Sequence, residues 1–392
     1  MVCSRLPNPN TPSLQLRILQ KLDEIDAGQW DALANPPGAP FDPFICYAFL
    51  HALEQSGGVG AETGWVPVHL VAENMDGTIV GFMPLYLKNH SMGEYVFDHG
   101  WAGAYEQAGG QYYPKLQSSI PFTPAAGPRI LAQDQPTKRA LIAGLENCVT
   151  RFGASSAHIT FTNEPDAKAL TAAKWMKRDG LQFHFYNPGY DTYENFLETL
   201  TARKRKALRR ERKKANDGVQ IVHLCADEIT PEHWDAFYGF YLDTGARKWG
   251  VAYLNRTFFD LISQTMKEHI LLVMAKRDGN WIAGALHFIG GDCLYGRYWG
   301  CVEFQDSLHF ELCYHRAIEE AINRKLSRVE AGAQGAHKIA RGYVPVITHS
   351  FHYLAEASFA DAVQRFLDEE TRAVKYEQAA YATQSPYRNP TA

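Results

Sequence analysis

The chain has 392 residues, 39 of them basic and 43 acidic, a formal net charge of −4, and a hydrophobic content of 46%. That length calls for about two cores, and that composition excludes a disordered chain. Apolar runs such as IVGFMPLYL stop far short of the roughly 20 residues a membrane helix needs, and scattered cysteines without a CxxC pair exclude a disulfide framework and suggest reduced thiols in a cytoplasmic protein.

In chain order, the Pro/Asn/Ser-rich start MVCSRLPNPNTPS has no apolar signal-peptide core. IDAGQWDALA, from Ile25, reads as a capped helix. HLVAEN and TIVGFMPLYL read as two strands joined at Asp76-Gly77, a strong hairpin signal. Thr123-Pro-Ala-Ala-Gly127-Pro-Arg129 is a small-residue turn ahead of a helix expected near Thr137. Residues 202–215, ARKRKALRRERKKA, hold nine Arg or Lys against one acid, Glu211, with no Pro or Gly, so a helix is expected. Only Leu208 in it is a strong hydrophobe. Thr230-Pro231-Glu232 is a helix start, with Thr as cap and Pro at the first position. ILLVMAK and NWIAGALHFI repeat the hairpin pattern around Asp278-Gly279. A strand from Tyr295 follows, then one amphipathic helix, ELCYHRAIEEAINRKL, then RVEAG, a Gly-rich turn, a short helix and the strand THSFHYL.

The pattern occurs twice. IDAGQWDALA matches ITPEHWDAFY, the two Asp-Gly hairpins match, and YVFDHGW from Tyr95 matches YGRYWGC from Tyr295, all about 200 residues apart. A later block, RALIAGLENC from Arg139 against YHRAIEEAIN from Tyr314, is offset less, which puts an insertion of roughly thirty residues around 102–136 in the first copy. The expected organisation is a first domain over 1–200, a basic connecting helix over 201–216, and a second domain over 217–392 carrying the site. The element order implies an α/β chain with a mixed sheet and helices on both faces.

This order is that of the GNAT acyltransferase fold. The blocks ARKRKALRRERKKA, YGRYWGCVEFQDSLHFELCYHRAIEEAI and AGAQGAHKIARGYVPVITHSFHY, together with IPFTPAAGPRIL, resemble the FemAB-like family, often labelled peptidoglycan biosynthesis or recognition and built from tandem GNAT-like domains. The resemblance implies an acyl- or aminoacyl-transferase acting on an amine, with a cell-wall precursor as acceptor and aminoacyl-tRNA as donor. One position departs from it: the family pattern GAQGEHK has Glu where this chain has Ala336.

The residues offer several places for such chemistry. In 330–345 the glycines allow a tight turn, and His337, Lys338 and Arg341 cluster at helical spacing as a cationic site for a phosphate, carboxylate or oxyanion. Gln334 and Tyr343 in the same block are expected to contact substrate. In a regular strand Tyr295, Arg297 and Trp299 would share one face and Tyr298 the other; Arg297, Tyr298 and Trp299 are substrate-binding candidates. Glu303, if burial raised its pKa, could take the proton of an attacking amine, so Glu303, His337 and Arg341 form the expected catalytic set. Anions are expected at Arg129 and at Arg203, Arg209, Arg210, Lys213 and Lys214.

Alternatives stay open. Acyl-CoA could lie on the 123–129 turn, although CVEFQDSLHFEL in the second copy lacks the glycines of a pyrophosphate cradle. The protein could also be a non-catalytic recognition module. The basic helix could meet tRNA, the headgroup of a lipid-linked precursor at a membrane surface, or an acyl-carrier protein. No metal spacing is present: His349-x-x-His352 in a strand points its rings to opposite faces.

Overall fold

The computed structural model describes residues 14–248, 252–332 and 335–388. Fifteen strands are defined there. The first half supplies β1 (Leu14–Leu19), β2 (Trp65–Pro67), β3 (His69–Asn74), β4 (Ile79–Met83), β5 (Tyr86–Lys88), β6 (Lys115–Ser118), β7 (Leu131–Ala132), β8 (Ser156–Thr162) and β9 (Met176–Tyr186). The second half supplies β10 (Gln220–Cys225), β11 (Ile270–Arg277), β12 (Asn280–Ile289), β13 (Cys293–Cys301), β14 (Arg328–Glu330) and β15 (Val344–Leu354).

Each half begins with an antiparallel meander, β1-β3-β4 in one and β10-β11-β12 in the other, and both hairpins turn at the expected Asp-Gly pairs. Gly77 and Gly279 carry the positive φ such turns demand. Each half then has one parallel strand pair, β6 with β8 and β13 with β14. Beyond it the halves exchange strands. β15 of the second half lies between β8 and β9 of the first, and β9 lies between β14 and β15. One mixed sheet of eleven strands results, and it crosses the boundary expected between the two domains.

The apolar cores cross it as well. Phe49, on helix Tyr47–Gln55, packs edge-on against Phe258 and Phe288 of the second half. A second cluster joins Phe185 and Phe196 of the first half to Leu271, Leu294 and Leu312 of the second.

Two expected elements differ. The segment from Tyr95 is not the counterpart of β13: residues 95–98 form no strand and run into helix His99–Gln107. β6 fills the place equivalent to β13, so the insertion lies between β5 and β6 rather than around 102–136. The cause is electrostatic. Lys115 and Lys88 hold Glu94 and Asp98 by buried ion pairs, which folds the segment inward as a loop. The amphipathic helix after β13 runs without a break from Leu308 but is not regular. A π-turn, Glu311–His315, precedes the regular helix Arg316–Asn323 and adds one residue to the helical repeat.

Helix Pro231–Lys248 crosses β13 where a side chain has no room. A Cβ on Gly300 would run into the carbonyl oxygen of Phe240. The obstacle is backbone, so relief requires moving the helix. Gly300→Ala is expected to lower stability by about 2–3 kcal/mol, measured by urea unfolding.

Candidate functional site

A cleft of about 960 Å³ lies where the halves exchange strands. One wall is Arg178, Asp179 and Gln182 of β9 with Thr348 and Ser350 of β15. The loop 91–99 covers it, held from beneath by Lys115, whose Nζ reaches Ser91 Oγ at 2.8 Å, Glu94 at 2.7 Å and Asp98 at 2.6 Å. Burial alone would lower the Lys115 pKa, but the two carboxylates outweigh it and raise it. The opposite wall comes from the second half: Arg297, His309, Tyr314, Gly332, Gly335 and His337.

Arg297 reaches the cleft because β13 is bulged. Tyr298 pairs with Leu286 and Gly296 with His287, leaving Arg297 as the extra residue. The simple alternation expected for this strand therefore fails. Arg297 and Tyr298 turn the same way, and both donate to the carbonyl oxygen of Phe122 in the first half. Trp299 turns away to pack on His309. Arg297 Nε is buried and has no hydrogen-bond partner among the described residues. Behind the bulge a recess of about 100 Å³ opens, sharing Arg297, His309, Tyr314 and Ala331 with the cleft. His287 lines it, kept neutral by burial, which pushes its pKa down to about 4.

The glycine-flanked turn is a 3-10 helix, Ala336–Arg341, so His337, Lys338 and Arg341 do come together, but in different roles. His337 stands at the lip of the cleft with its Nε2 3.0 Å from Tyr314 Oη. Lys338 points inward, donating to Gly332 O at 2.9 Å; burial pushes its pKa down to about 7. Arg341 is buried, stacks 3.5 Å over the Phe310 ring, and pairs with Glu211. It is a positioning residue rather than an open cation, because Glu211 and the His337 carbonyl occupy its donors.

Glu211 thus gives the basic helix, Ala202–Ala215, an inner face. It accepts from Arg341 Nε at 2.8 Å and meets His315 Nε2 at 2.7 Å. Burial raises its pKa, but the hydrogen bonds from His315 and Arg341 win and hold it below the ordinary range. Beside it Arg212 pairs with Glu311 and Glu319, and Leu208 and Ala215 are buried. Arg209 pairs with Glu194 and Lys214 with Asp306. Arg203, Arg210 and Lys213 are exposed and pair with no acid among the described residues.

Four expectations are corrected. Glu303 lies on the loop after β13, part-exposed and paired with Arg277; it does not line the cleft. Tyr343 is core, its ring against Phe185 and Tyr314. Trp299 lines the recess behind the bulge, against His309, rather than the main cleft. Arg129 is sealed: its guanidinium donates to the carbonyls of Ala125, Pro128 and Thr160, which removes it as an anion site. The turn around it is likewise spent, since Gly127 N donates to Phe161 O. Gln334 lies outside the described residues. Sequence reasoning missed Tyr314, His309, Arg178 and the Asp179–His349 pair, 2.7 Å apart. They come from segments far apart in the chain, and no local spacing announces them.

A family model described as FemAB-like, peptidoglycan biosynthesis/recognition, matches residues 21–389. Among solved structures, FemX superposes with a TM-score of 0.54 at 12% identity, covering 87% of this chain and 98% of its own. A conserved protein of unknown function from Bacteroides thetaiotaomicron gives a TM-score of 0.50 at 10% identity, covering 87% and 100%. A tandem GNAT protein from the clavulanic acid biosynthesis pathway gives 0.47 at 13% identity, covering 88% and 99%. No curated sequence matches.

Two outcomes test the geometry. Glu211→Ala leaves Arg341 and His315 buried without their acid, and is expected to cost about 2–4 kcal/mol in urea unfolding, against about 0.5 kcal/mol or less for Arg209→Ala. Lys338 has a folded pKa below its unfolded value of about 10.4. Between those values the unfolded chain binds the extra proton, so this stabilisation grows as pH rises from about 7 toward 10 and is lost as pH falls. The stability difference between wild type and Lys338→Met should therefore shift in favour of wild type between pH 7 and 9.5; an unchanged difference would place Lys338 in water.

Proposed function

The chain belongs to the FemAB-like family of peptidoglycan biosynthesis and recognition proteins, and from that premise we propose that it is an N-acyltransferase whose reaction takes place in the shared cleft. The acceptor amine attacks the carbonyl carbon of an activated acyl or aminoacyl donor. A C–N bond forms, the bond to the donor oxygen or sulfur breaks, and the amine gives up a proton. His337, oriented by Tyr314, is the acceptor for that proton. Arg297 lines the same cleft from the bulge, and its guanidinium charge can stabilise the oxyanion. Ala336 stands where the family pattern has Glu, and His337, its neighbour in the turn, takes the proton in this reading.

One observation carries this reading: His337 and Tyr314 stand 3.0 Å apart at the edge of a cleft that also holds Arg297. Of the donors, aminoacyl-tRNA fits better than acyl-CoA. Neither candidate pyrophosphate cradle is open: the 123–129 turn spends its donors internally, and the 301–312 passage lacks glycine. The acceptor class suggested by the family is an amine of a peptidoglycan-type precursor, reached from the cytoplasm.

The test is transfer of label from aminoacyl-tRNA, or from acetyl-CoA in a parallel arm, onto a muramoyl-pentapeptide precursor. His337→Ala should lower kcat by about 10²–10³-fold without changing thermal stability, while Glu303→Gln leaves kcat unaltered. Full activity in His337→Ala sinks the assignment, and transfer from acetyl-CoA alone sinks the donor reading.

A further inference from the structure

The outer face of the basic helix has no role in the cleft. Arg203, Lys206, Arg210 and Lys213 are spaced three, four and three residues apart, so they form one stripe opposite the face that holds Leu208, Glu211, Arg212 and Ala215. All four are exposed and pair with no acid among the described residues. At the C-terminal end of this stripe sits the loop after β13. Gln305 donates to the carbonyl of Lys214 at 2.7 Å, and Asp306 pairs with Lys214 at 2.7 Å, which fixes the loop against the helix. Its acids are neutralised in place, Glu303 by Arg277 and Asp306 by Lys214. Beside these paired acids it presents two apolar side chains to water: Val302 is 61% exposed and Phe304 is 88% exposed.

A row of unpaired cations ending in two exposed hydrophobes has the chemistry of a bilayer-facing surface. The cations meet anionic headgroups, and a valine and a phenylalanine enter the headgroup–acyl boundary. We propose that this face docks the protein on an anionic lipid bilayer. The net charge of −4 does not oppose it, because charges more than a Debye length away are screened. A single-stranded RNA surface would interleave aromatics along the cations for base stacking; here the apolar residues lie together at one end. The inner face of the same helix holds Arg341 of the cleft turn, so docking would set the cleft close to the membrane. The inference does not depend on the transfer reaction.

The experiment is co-sedimentation of the full chain with vesicles of phosphatidylcholine alone and of phosphatidylcholine with about one third phosphatidylglycerol. Binding is expected only to the second, weakening as salt rises. Arg210→Glu with Lys213→Glu should lower the partition coefficient by more than tenfold, since each basic residue near the surface is worth about fivefold. Phe304→Ser should lower it by about tenfold and leave the salt dependence unchanged. All three positions are exposed, and unchanged melting temperatures confirm folding. Equal partition to both vesicle types, or none, overturns the proposal, and the wild-type contrast decides this without any variant. If tRNA binds at the same salt while vesicles do not, and Phe304→Ser is silent, the face is a nucleic-acid surface and the proposal is wrong.

Discussion

The site hangs on one half-buried acid. Glu211, the single carboxylate in a fourteen-residue basic helix, takes Arg341 from the cleft turn and His315 from the π-turn. Each partner is itself buried, so neither has water as an alternative. Arg341 in turn holds the His337 carbonyl and stacks on Phe310. Three segments distant in sequence are thereby locked together, and His337 is placed against Tyr314 as a result.

The second constraint is the exchange of strands. Because β9 of the first half pairs with two strands of the second, and β15 of the second half pairs with two strands of the first, the cleft floor belongs to neither copy alone. Arg178, Asp179 and Gln182 come from the first half, while Thr348 and Ser350 come from the second. A tandem repeat built this way cannot separate its halves without breaking ladder hydrogen bonds along β15 on both edges. The shared aromatic packing around Phe49 adds to that bond. The connecting helix therefore works as a clamp rather than as a tether between independent domains.

Much of the architecture was legible. The Asp-Gly hairpins, the Pro-led helix at Pro231 and the basic helix follow from local rules of turn geometry and helix propensity. The glycine-flanked turn at 335–342, and with it the clustering of His337, Lys338 and Arg341, was legible for the same reason, since Gly335 and Gly342 adopt positive φ that only glycine takes easily. The facing of Arg297 was not. A bulge shifts side chains by one position, and nothing in YGRYWGC marks which residue is extra. The sealed state of Arg129 was equally hidden, because its three carbonyl partners lie up to thirty-one residues away.

By itself, then, the sequence determined the elements, their repeat, the family resemblance and the clustering of charge in 202–215, all of which depend on neighbours within a few turns of chain. Only the tertiary structure decided which charges remain available. Arg212 and Arg341 are consumed by acids brought from elsewhere, whereas Arg203, Lys206, Arg210 and Lys213 stay in water. The physical reason is that a charged side chain's role is set by what it meets on burial, and those partners are supplied by the packing of distant segments.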